Sequence, residues 1–175
     1  MKSLMLFFVA VSLVGSVAVS PGQAFTGMNT EVLQKQAEAG NAEAQTQLGV
    51  AYAKGASVPV DRTKAVEWYR KAADQGYANA QWNLAFCYVR GDGVEQSYLH
   101  AARFFKMAAE QGYAPAEYDL GMMYLQGFGV KRSRTKAIDW IVKASDHGYK
   151  EADVFLETRG IEKRSAVETG DEKKS

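Results

Sequence analysis

The sequence predicts an all-α fold, a solenoid-like stack of about eight antiparallel helices built from a short repeat. Three observations predict it. The run Gly76-Tyr77-Ala78-Asn79-Ala80-Gln81 has a counterpart 36 residues earlier, Gly40-Asn41-Ala42-Glu43-Ala44-Gln45. Further counterparts stand at Gly112-Tyr113-Ala114-Pro115-Ala116-Glu117 and at Gly148-Tyr149-Lys150-Glu151-Ala152-Asp153. Within each copy the apolar residues recur at helical spacing. Self-similarity at this interval marks stacked repeats, whose units bury their faces only against their neighbours.

The chain begins with a segment of another kind. Met1-Lys2 is a short positive start, Leu4 to Val19 is apolar or small, and Pro21 and Gly22 follow. Gly22-Gln23-Ala24 is a small-x-small ending, so residues 1–24 read as a signal peptide cut after Ala24, with Ser20 as the second choice. The apolar run of 16 residues is shorter than the roughly 20 that a spanning helix needs. The mature chain is therefore expected in the periplasm or outside the cell.

Residues 29–159 are expected to form the solenoid, with Phe25 to Met28 irregular. Asn29 to Ala39 overlays Ala65 to Gln75 and reads as a lone helix covering the N-terminal end. The first full repeat pairs a helix over Ala42–Lys54 with one over Arg62–Asp74. Gly55 stops the first helix and Asp61 caps the second. Ser57 and Pro59 interrupt the Gly-x-Gly-Val pattern of the later loops, which suggests a different path for this turn.

The second repeat, Gly76 to Gln111, and the third, Gly112 to His147, keep the plan. Leu84, Tyr88, Gly91, Gly93 and Val94 recur as Leu120, Tyr124, Gly127, Gly129 and Val130. Ser97 and Ser133 take the capping place of Asp61. Small residues stand where helices must approach closely and large ones fill the gaps between. A half-repeat over Lys150–Thr158 closes the stack. Residues 160–175 are polar and charged, a composition that favours disorder.

These residues also carry a resemblance. Ala44, Leu48-Gly49, Tyr52, Gly55, Asp61, Lys64-Ala65, Trp68-Tyr69, Lys71-Ala72-Ala73 and Gly76 trace a pattern that resembles the Sel1-like repeat. It recurs in three copies and two halves; Ser57, Ala85 and Glu157 depart from it. The resemblance implies a right-handed α/α solenoid related to tetratricopeptide repeats, acting as an adaptor or scaffold. It also implies that five places on each first helix face a concave groove. These are Glu43, Thr46, Val50, Ala53 and Lys54; Asn79, Trp82, Phe86, Val89 and Arg90; and Pro115, Tyr118, Met122, Leu125 and Gln126. Nine of them are the candidate partner-binding residues: Thr46, Val50, Lys54, Trp82, Phe86, Arg90, Tyr118, Met122 and Gln126. Trp82–Phe86 and Tyr118–Met122 are i, i+4 pairs, so each pair shares a helical face. Two readings stay open: packing between adjacent first helices, or an apolar groove for a protein or peptide partner.

Composition limits the other possibilities. Without its signal, and so without Lys2, the chain has 20 basic and 20 acidic residues, which argues against nucleic acid or an anionic membrane as partner. One cysteine, Cys87, cannot form an internal disulfide. Cys87 takes the apolar place of Ala51 and Met123, and His100 the surface place of Lys64, so a thiol–imidazole nucleophile is not expected. His100 and His147 have no ligand spacing that suggests a metal. Asp92, Glu95 and Glu110 fit a solvated face. Gly91-Asp92-Gly93 lacks the Lys-Ser/Thr of a phosphate loop, and Arg90-Gly91-Asp92 follows from a glycine the repeat itself requires. The expectation is a monomeric, exported adaptor without catalytic residues, cofactor or metal. The alternative is an envelope enzyme or a binder of cell-wall material.

Overall fold

The computed structural model describes residues 30–161. The expected signal peptide, its Ala24 cleavage site and the charged tail beyond Ile161 lie outside the described residues. Among the described residues there are eight helices: α1 (Thr30–Glu38), α2 (Ala42–Lys54), α3 (Arg62–Asp74), α4 (Ala78–Arg90), α5 (Tyr98–Ala109), α6 (Ala114–Gln126), α7 (Arg134–Asp146) and α8 (Lys150–Thr158). Each packs on the next along the chain. The result is an all-α solenoid of three hairpins, α2–α3, α4–α5 and α6–α7, with a single helix at each end.

The ends of the helices follow from their capping residues. Asp61 Oδ1 accepts the Lys64 backbone N–H at 3.0 Å, and Ser97 and Ser133 cap α5 and α7 in the same way. Gly55, Gly91 and Gly127 end the first helices in the left-handed region, where their N–H groups close onto Ala51, Cys87 and Met123. Ser57 also sits at a left-handed φ of 65°, beside 74° at Gly93 and 66° at Gly129. The first turn therefore keeps the left-handed residue of the later ones, contrary to the expectation from sequence. A glycine is needed only where another backbone lies close. A Cβ on Gly93 would stand 2.3 Å from the Arg62 carbonyl oxygen, and one on Gly129 2.0 Å from that of Tyr98.

Packing inside each hairpin depends on a small residue opposite a large one, and a leucine on each first helix packs on the helix before it. Leu48, Leu84 and Leu120 are fully buried. A Cβ on Gly49 would meet the Tyr69 ring at 2.6 Å, and one on Gly121 would meet Ile141 at the same distance. Ala85, which replaces the glycine in the second hairpin, is fully buried there beside Phe105.

Between hairpins runs a polar ladder. Gln45 Nε2 donates to the Ala37 carbonyl at 2.9 Å, and Gln81 Nε2 to that of Ala73 at 3.3 Å. Gln75 and Gln111 donate in turn to the side-chain oxygens of Gln45 and Gln81. In the third unit a carboxylate and an imidazole replace the two amides, and His147 Nδ1 lies 2.7 Å from Glu117 Oε2. At the next step the Ser145 hydroxyl donates to Asp153. Gln45, Gln81, Glu117 and Ser145 are themselves buried, where an unpaired polar group would be costly.

The turn contacts change in character along the stack. Arg62 pairs with Asp92 across the first two repeats at 3.4 Å. One repeat on, the same two positions are Tyr98 and Phe128, whose rings stack at 4.7 Å and 15°.

Candidate functional site

The first helices α2, α4 and α6 hold the positions that sequence singled out, and the structure separates them into two kinds. Thr46 and Tyr118 are buried. Thr46 donates its hydroxyl to the Ala42 carbonyl within its own helix, and Tyr118 packs against Tyr149 and Phe155 of the following unit. Neither is open to a partner; both are used for packing. Lys54, Arg90 and Gln126 are exposed, and Val50, Trp82, Phe86 and Met122 are partly buried.

The four apolar anchors do not form one patch. Trp82 and Phe86 pack with the core between α4, α5 and α6, whereas Tyr118 and Met122 pack with the core towards α8. Trp82 meets Phe86 edge-on at 4.9 Å and Tyr113 at 6.0 Å. Phe86 meets Phe105 edge-on at 5.2 Å. Tyr113 and Tyr149 stand where Asn41 caps α2, but they make no side-chain cap. Their rings instead pack on Trp82 and Tyr118 of the preceding repeat.

Phe86 and Met122 do come together across a narrow cleft between α4 and α6. Val89, Tyr98, Asp119 and Phe128 line it with them. Asp119 is the functional candidate that sequence reading missed. Its Oδ2 accepts the Trp82 indole N–H at 2.7 Å, joining α4 to α6. Burial pushes its carboxyl up to about 7; the Trp82 hydrogen bond opposes the rise and the Glu151 charge adds to it. Burial and the same two carboxylates also raise the Tyr118 and Tyr149 hydroxyls. The available signal was the place in the repeat, where Gln47 and Asn83 carry neutral amides and Asp119 carries a charge.

The candidates for chemistry remain apart. Burial pushes the Cys87 thiol up to about 11, with a further rise from Asp92, which opposes thiolate formation. His100 is exposed, bonds Ser97 through Nδ1 and stacks on Tyr88 at 5.0 Å. Lys64 and Lys136 stand over Tyr52 and Tyr124 in the same way, so the ring serves a surface packing role. Among the described residues no cluster of His, Cys, Asp or Glu could hold a metal ion, and no helix is long and apolar enough to cross a membrane.

Hairpins stacked at a constant interval, with a lined cleft between neighbouring first helices, define a helical-repeat protein of the interaction class. The chain belongs to the Sel1 repeat family, whose repeat matches residues 42–77, 78–113 and 114–149. Sel1 repeat proteins mediate protein–protein interaction. Over 61 residues the chain is 39% identical to the secretory immunoglobulin A-binding protein EsiB of Escherichia coli O6:H1, covering 35% of this chain and 12% of that protein. The structure resembles c5321, a protective antigen of uropathogenic Escherichia coli, with a TM-score of 0.70 and 36% identity over 75% of this chain and 29% of that one. It also resembles a Sel1 repeat protein from Oxalobacter formigenes, with a TM-score of 0.71 and 36% identity over 78% of this chain and 39% of that one. The chain thus spans well under half the length of each of these relatives.

Proposed function

We propose that the protein is an exported adaptor that holds another protein or peptide along the face built by α2, α4 and α6. The observation that carries this reading is the cleft between α4 and α6. Phe86, Val89 and Met122 line it while only partly buried, although fully buried leucines and alanines already form the core between successive helices. Partly covered apolar and aromatic groups in a concave surface are what a partner's anchor residues bury on binding. Lys54, Arg90 and Gln126 then form its polar rim. The enzyme alternative has no support from Cys87 or His100, for the reasons above.

Substitution at the cleft tests the reading. Val89→Arg should abolish capture of the natural partner, because it places a charge among the anchors, while Glu67→Arg on the exposed face of α3 should leave capture intact. Equal capture by both variants would contradict it.

The export half rests on residues 1–24 and gains support from the relatives, one named for binding secretory immunoglobulin A and one as a protective antigen. The mature protein from cell envelopes should begin at Phe25, as read by N-terminal sequencing. A chain that still begins at Met1 in that fraction would contradict cleavage.

A further inference from the structure

We propose that the cleft between α4 and α6 selects a peptide carrying one Lys or Arg side chain, whose head meets Asp119 and whose stem lies on Phe86 and Met122. The proposal deepens the adaptor reading and rests on it. Asp119 lines the cleft, and its one hydrogen bond among the described residues is the indole N–H of Trp82. A carboxylate has about four lone-pair sites, so one neutral donor leaves most of its capacity unused. No Lys, Arg or His of the described residues forms an ion pair with it. Arg159, whose charge acts on the adjacent Tyr118, lies over the Phe155 ring at 3.9 Å.

The surroundings decide the sign of the ligand. Glu151 acts on Asp119 from α8, so an acidic peptide would meet two like charges. A wholly apolar peptide would cover the carboxylate and deepen its desolvation without supplying a partner. A basic side chain avoids both penalties. Its head pairs with Asp119 beside the Trp82 ring, the ring type that attracts cations most strongly. Its aliphatic stem covers the apolar walls, as long basic side chains do elsewhere. Phe86 already takes a cation on this chain, with the Arg90 guanidinium carbon 5.5 Å from its centroid.

The test is selection of a random twelve-residue display library on the full chain. Affinities of the enriched peptides are then measured on wild type, Asp119→Asn and Val89→Arg. Asp119→Asn retains an amide oxygen for the Trp82 N–H and removes a desolvated charge, so its urea midpoint at neutral pH should not fall. The expected result is a Lys or Arg at one shared place in the peptides. Their binding should weaken about tenfold or more on Asp119→Asn, and equally when that residue becomes norleucine, with no further loss when both changes are combined. Peptides lost on Val89→Arg but indifferent to Asp119→Asn would overturn the basic anchor and leave the adaptor face standing. If no peptide responds to Val89→Arg, both readings fall. Wild-type dimers that Val89→Arg dissociates, seen by light scattering, would make a second copy of the chain the occupant and overturn the proposal.

Discussion

Gly129→Ala should destabilise the protein far more than Gly76→Ala, although both glycines lie in the left-handed region. At Gly76, with φ 85°, an added Cβ meets nothing within 4 Å. That substitution costs only the backbone preference, about 1–2 kcal/mol. At Gly129 the same methyl would stand 2.0 Å from the Tyr98 carbonyl oxygen and 2.8 Å from the Leu99 nitrogen. Both are backbone atoms at the start of α5 and cannot rotate away. The third turn must move off the second repeat, giving up the Tyr98–Phe128 stack and adding an overpacking penalty, for a total of roughly 3–5 kcal/mol. Urea unfolding of the two variants gives the comparison. Equal losses would mean that the turns do not hold adjacent repeats together.

Leu84→Ala should cost about 2–5 kcal/mol, the range for removing a fully buried leucine. Leu84 has 0% exposure and lies in the core shared by α3 and α4. It belongs to the central hairpin, so a cavity there weakens a unit on which both neighbours pack. In a stack stabilised by nearest-neighbour interfaces, such a loss spreads to both sides. The urea midpoint should fall in a single transition, and an unchanged midpoint would show that the leucine row is not the core.

The second helices of the hairpins were legible in the sequence because three independent signals agree there. For α3 these are Asp61 as cap, apolar residues at helical spacing from Ala65 onwards, and the following Gly76. The repeat also places Cys87 and His100 correctly, since a position inherits its environment from its counterparts. The same logic fails where a position changes chemistry between copies. Gln45, Gln81 and Glu117 were not singled out, yet they are buried and bond Gln75, Gln111 and His147, which lie 30 residues away. Asp119 was missed because a lone acid on a helix resembles a solvated one until the neighbouring helix is present. Tyr118 was misjudged for the opposite reason. Its i, i+4 partner Met122 lines the cleft, but its own ring is closed over by Tyr149 and Phe155, which only the docking of α8 brings near.

The α4–α6 cleft is where a partner is expected to sit. Site-specific photo-crosslinking in living cells tests this most directly, with the reactive residue placed singly at Val89, at Met122, and at the exposed Arg103 of α5. One shared adduct is expected from Val89 and Met122, and none of that mass from Arg103. The same adduct from Arg103, with none from either cleft position, would contradict it.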